Sequence, residues 1–90
     1  MAGKEIYYFS ATGNSLAVAR DLAQRLDATL IPAASVMDRE RIDTDAEVIG
    51  LVFPIYDFKP PQMILDLIRK LGNLGSHYLF AVCTYGITVS

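Results

Sequence analysis

Residues 10–15, Ser10-Ala11-Thr12-Gly13-Asn14-Ser15, set three hydroxyls, one carboxamide and a glycine in six consecutive positions. Each of these polar side chains is neutral and can donate a hydrogen bond. Such a set suits an anion that is held and not attacked. Backbone N–H groups at the start of a helix lack intrahelical partners and carry partial positive charge. A helix beginning at Ser15 would therefore make the segment a cradle for phosphate. Gly13 lets the chain curl and the backbone come close to a ligand. The loop has no lysine, so it is not the triphosphate loop GxxxxGK[ST], and its single glycine excludes GxGxxG. A terminal monophosphate fits best. Serine, threonine, asparagine and glycine are also ordinary turn and N-cap residues. The complete order directly after a hydrophobic run is what favours the phosphate reading.

The elements that would hold this loop can be read from the change of period. Glu5-Ile6-Tyr7-Tyr8-Phe9 is a run of strand formers, as expected of a central strand in a parallel sheet. Residues 15–26 switch to helical spacing, with Leu16, Ala19, Ala23 and Leu26 on one side and Arg20, Gln24 and Asp27 on the other. Residues 28–32 form a short second strand around Leu30 and Ile31. Residues 33–46 carry many charges and read as a solvated surface connection with at most a short helix. Residues 47–53 form a third strand, which Pro54 should end. Pro60-Pro61 suits the first turn of a second helix. Its apolar side is Ile64, Leu65, Leu67, Ile68 and Leu71, and Gly72 fits its C-terminal cap. Residues 77–84 form a fourth strand. Strands alternating with helices imply a parallel α/β sheet with flanking helices. Its ligands sit beyond the carboxyl ends of the strands. That singles out the loop 10–15, the loop 54–60 and the chain from Tyr85 onward.

Composition narrows the function further. The chain has 90 residues, 52% of them hydrophobic and 20% charged, which excludes a disordered tail and a coiled coil. Its net charge of −2 provides no basic patch for nucleic acid. One cysteine excludes an intramolecular disulfide and any cysteine-based metal cluster. No targeting segment is visible, and the longest apolar stretches fall far short of the ~20 residues of a membrane span. The expectation is a cytoplasmic protein without membrane or nucleic-acid partners.

The loop also carries a resemblance. Phe9-Ser10-Ala11-Thr12-Gly13-Asn14-Ser15 resembles the phosphate loop of flavodoxins, [ST]-x-T-G-N-[ST]. Val52-Phe53-Pro54-Ile55-Tyr56 and Val82-Cys83-Thr84-Tyr85-Gly86 extend the similarity, which runs from about Lys4 to Gly86. The chain looks most like the flavodoxin-like domains often fused to ferredoxins with two [4Fe–4S] clusters. The resemblance implies a doubly wound sheet that binds FMN, with the strand order 2-1-3-4-5 of flavodoxin itself. It implies that Ser10, Thr12, Gly13, Asn14 and Ser15 hold the FMN phosphate. It implies that Pro54, Ile55 and Tyr56 lie beside the isoalloxazine, with Thr84, Tyr85 and Gly86 starting the loop on its other side. The implied role is electron transfer with a redox protein such as a ferredoxin or reductase, an electron carrier rather than a classical enzyme. A family domain continues into further helices and a fifth strand. Residues 1–90 are therefore expected to form one flavodoxin-like domain, truncated to about four strands of order 2-1-3-4.

Other residues attract simpler readings. Tyr56 and Tyr85 could stack on an aromatic ring, with Phe58 as a substitute. Asp57 suits a charge partner at the start of the second helix. Cys83 falls in a strand expected to be buried, as an inert thiol. His77 has no metal or catalytic partner in sequence and reads as a surface residue. No nucleophile, base or cationic clamp points to phosphoryl chemistry. A second reading is an α/β interaction module that keeps the fold without useful flavin binding. Without a fifth strand, strand 77–84 should expose an apolar edge that pairs with another copy of the chain.

Overall fold

The computed structural model describes residues 3–9, 14–55, 62–71 and 78–85, with the side chains of Asn14 and Tyr85 excepted. In chain order the elements are strand β1 (Lys4–Tyr8), helix α1 (Asn14–Leu26), strand β2 (Thr29–Pro32) and a 3-10 turn (Ala33–Val36). Strand β3 (Val48–Ile55), helix α2 (Gln62–Leu71) and strand β4 (Tyr78–Tyr85) follow. The four strands form one sheet of order β2-β1-β3-β4, and every pairing is parallel. This is the expected α/β fold. Pro60, Pro61 and Gly72, read as the limits of the second helix, lie outside the described residues, as do Asp57, Phe58 and His77.

Strand β3 is central and almost wholly buried, which explains its unbroken apolar run. Its alternating side chains feed two cores. Ile49, Leu51 and Phe53 join Tyr7 and pack with Ile64, Leu67 and Leu71 of α2. Val52 joins Ile6 on the opposite face and packs with Ala19 and Ala23 of α1. The helices thus cover opposite faces of the sheet.

Pro54 does not end β3, as its lack of a donor suggested; the strand runs on to Ile55. The reason lies in the ladder. The Val52 carbonyl accepts from the Phe9 N–H, on the β1 side. Alternation turns Pro54 to that same side, and β1 has already ended there. No ladder bond between described strands is lost.

Leu65 is also corrected. It is 42% exposed, whereas Ile64, Leu67 and Leu71 face the sheet. Cys83 is exposed, not buried: it alternates with Thr84 to the other face of β4 and belongs to neither core.

Two local features escaped the sequence reading. Asp27 adopts φ 56° at the end of α1. The Ala28 N–H donates to the Ala23 carbonyl at 2.8 Å and the Asp27 N–H to the Gln24 carbonyl at 3.4 Å. This is a Schellman cap with aspartate where glycine is usual, a conformation short polar side chains tolerate.

The connection 33–47 is more than a charged surface. Its charged side chains are exposed, but Val36, Ile42 and Ala46 are buried against α2 and β3. The Ile42 N–H donates to the Lys70 carbonyl at 2.9 Å, satisfying an acceptor in the last turn of α2. Glu5 Oε1 accepts from Tyr7 Oη at 3.0 Å and from Thr44 Oγ1 at 2.8 Å, tying the connection to β1. Burial, reinforced by the Glu5 carboxylate, holds the Tyr7 phenol protonated well above the usual tyrosine range, with Arg39 opposing slightly.

Candidate functional site

The register brings three chain segments to one edge of the sheet. Tyr8 is level with Val52, Val52 with Val82, and Ile55 with Tyr85. The segments after β1, β3 and β4 therefore all leave the sheet at its carboxyl edge. Between β1 and β3 the strand order reverses, since β2 lies on one side of β1 and β3 on the other. In open parallel sheets this switch point is where ligands bind.

Helix α1 starts at Asn14, five residues after Phe9, so its N-terminus stands at that edge. Its first turn holds no acidic side chain. The unpaired N–H groups and partial positive charge of that turn therefore meet no internal carboxylate from the helix itself.

Ser15, in this first turn, is the one buried polar residue among those described, at 1% exposure. Its Oγ lies 2.9 Å from Thr84 Oγ1, and either hydroxyl can donate. The bond joins positions 69 residues apart. It follows from the pleat. Phe80 and Val82 of β4 pack on the α1 side of the sheet, and Thr84 continues their alternation. Pro54, level with Thr84 in the ladder, is buried, and Ile55 is half-buried against the opposite core.

Of the residues assigned by resemblance, Ser15, Pro54, Ile55 and Thr84 come together at the carboxyl edge. The backbones of Asn14 and Tyr85 lie there too. Ser10, Thr12, Gly13, Tyr56 and Gly86 lie outside the described residues. The Ser15–Thr84 pairing was missed. Sequence placed Ser15 at the end of one loop and Thr84 at the end of a distant strand, and only the alternation along β4, once α1 is assigned to its face, could have suggested it.

Among the described residues, no group of three or more His, Cys, Asp or Glu side chains could hold a metal ion. No described helix is long and apolar enough to cross a membrane.

Order 2-1-3-4 with helices on both faces defines a doubly wound α/β fold of the flavodoxin-like kind. Two solved structures share this architecture. A candidate flavoprotein from Bacteroides uniformis superposes with TM-score 0.75 and 19% identity, covering 98% of this chain and 76% of that one. A candidate flavoprotein from Bacteroides eggerthii superposes with TM-score 0.76 and 17% identity, covering 98% and 74%. At these identities the likeness is one of fold. No family model and no curated protein matches the chain.

Proposed function

We propose that the chain binds FMN at the carboxyl edge of its sheet and carries electrons to and from a redox protein such as a ferredoxin or reductase. The observation that carries the reading is the junction of loop and helix. The sequence Ser10-Ala11-Thr12-Gly13-Asn14-Ser15 leads from a buried strand into a helix whose N-terminus stands at the switch point. The names of the two solved relatives of the fold support a flavin.

In this reading, Ser10, Thr12, Gly13, Asn14 and Ser15 hold the phosphate with neutral donors and backbone N–H groups. Pro54, Ile55 and Tyr56 flank the ring on one side. Thr84, Tyr85 and Gly86 begin the segment on the other. A bound flavin supplies the one- and two-electron chemistry, and the protein supplies position and surroundings.

The test is a flavin titration followed by fluorescence. FMN binds, and riboflavin, which lacks the phosphate, binds much more weakly. Thr12→Ala removes one hydrogen bond to a charged group and raises the FMN Kd about 10- to 100-fold. Equal affinity for FMN and riboflavin defeats the phosphate assignment. A colourless protein that takes up neither flavin favours the interaction-module reading.

The assembly proposal rests on the edge of β4. Tyr78–Tyr85 contains no charge and no proline, the usual deterrents to edge pairing. Tyr78 is 65% exposed. Two copies pairing these strands about a two-fold axis would extend the sheet. Sedimentation should show a species larger than the 9.9 kDa chain. Ala81→Lys, which puts a charge at an exposed position of that edge, should return it to monomer. A folded wild-type monomer at micromolar concentration rules the pairing out.

A further inference from the structure

The hydroxyl pair across the site assigns Thr84 a role that the resemblance does not. By resemblance, Thr84 belongs to the segment beside the flavin ring. Its side chain is instead engaged with Ser15, in the first turn of α1, at 2.9 Å. We infer that Thr84 is a positioning residue for the phosphate end of the site, acting through Ser15. This rests on the flavin reading above.

The argument begins with burial. Ser15 is 1% exposed, so its hydroxyl is cut off from water and depends on a partner. A buried hydroxyl without one costs more than the hydrogen bond itself is worth. Thr84 supplies that partner. Each hydroxyl has one proton and can accept twice. One proton closes the Ser15–Thr84 bond, and the pair keeps a second proton to donate elsewhere. A helix first turn with no acidic side chain lies beside it. An anion at the helix start would meet the backbone N–H groups of the turn that this hydroxyl pair holds in place.

The bond also fixes geometry. Thr84 is locked into the β3 ladder opposite Pro54, and β3 is the most buried strand of the sheet. Linking Ser15 to Thr84 sets the first turn of α1 against this rigid frame. The carboxyl end of β4 and the start of α1 are then positioned as one unit.

The experiment is a double-mutant cycle with Ser15→Ala and Thr84→Val, read with two flavins and in urea. With FMN, each single variant is expected to raise the Kd about three- to tenfold, and the double variant no further than either alone. Thr84→Ser keeps the hydroxyl and should restore wild-type FMN affinity. Riboflavin affinity should change far less, so the FMN-over-riboflavin preference falls. A merely structural loss would weaken both flavins alike and leave that preference unchanged.

Thr84→Val weakening both flavins equally overturns the inference. So does an FMN loss in Ser15→Ala with none in Thr84→Val, or fully additive losses. The urea cycle needs no flavin. Coupled shifts in the unfolding midpoint support the hydroxyl link itself, and additive shifts overturn it. A wild type that binds neither flavin overturns the flavin reading and the positioning role with it, while the urea cycle still decides the link.

Discussion

Leu67→Ala is expected to lower the unfolding free energy by about 2–5 kcal/mol. Leu65→Ala, on the same helix, is expected to cost about 0.5–1 kcal/mol. Leu67 is 0% exposed and belongs to the core formed with Ile49, Leu51 and Phe53. Leu65 is 42% exposed. Helix α2 has only ten residues, too few to be stable without tertiary packing. It depends on the Ile64, Leu67 and Leu71 stripe. The segment leading into α2 carries Tyr56, proposed beside the flavin ring, so loosening the helix should also weaken flavin binding. Urea unfolding of the two variants supplies the comparison. Equal costs would mean that α2 turns a different face to the sheet.

The contrast between these two leucines shows how far sequence could reach. The apolar residues of α2 cluster within ten positions, and an apolar list alone places Leu65 with the others. Its position relative to the sheet becomes visible only once α2 is docked. The strands were legible because β1, β3 and β4 are rich in aliphatic and aromatic residues and bounded by polar loops. Their parallel order followed from the alternation of strands and helices. Pro54 misled because proline is a boundary signal only where its N–H would have a partner, and here the adjoining strand has already ended. Asp27 was hidden for a related reason. Its left-handed backbone is encoded by an aspartate, a weaker signal than glycine.

The candidate site was legible where chemistry is local and obscure where it is not. Ser10–Ser15 declares itself because neutral donors and a glycine are contiguous. The role of Thr84 does not, because it depends on which face of β4 meets α1. Cys83 and Thr84 are neighbours in the same strand, yet one is exposed and the other is bound to Ser15. The buried residues of the 33–47 connection were masked by their charged neighbours. Ile42 and Ala46 are isolated apolar positions in a stretch that otherwise reads as solvated.

Gly50 shows the same dependence on packing, and its replacement should be among the most damaging single changes to the sheet. Glycine is a poor strand former, yet it sits in mid-β3 with Ile6 level on one side and Phe80 on the other. A Cβ at this position would lie 2.5 Å from Phe80 Cζ and 2.7 Å from Ile6 Cδ1. Both distances are well inside contact. Ile6 is 0% exposed, so its Cδ1 can move only by repacking against its buried neighbours. Phe80 is half-buried, so its ring must move outward. Gly50→Ala is therefore expected to cost about 1–3 kcal/mol, and Gly50→Val more. This opposes the usual gain of about 0.5–1 kcal/mol when alanine replaces a glycine in a strand. Phe80→Leu shortens the obstructing side chain and should recover part of the loss in the Gly50→Ala background, a non-additive pair in urea unfolding. The effect should reach the site, since Phe80 and Thr84 share one face of β4. Displacing Phe80 would then disturb the Ser15–Thr84 bond and, on the reading above, weaken FMN more than riboflavin. A Gly50→Ala protein as stable as wild type would show that the ring yields freely and that the glycine is not required by packing.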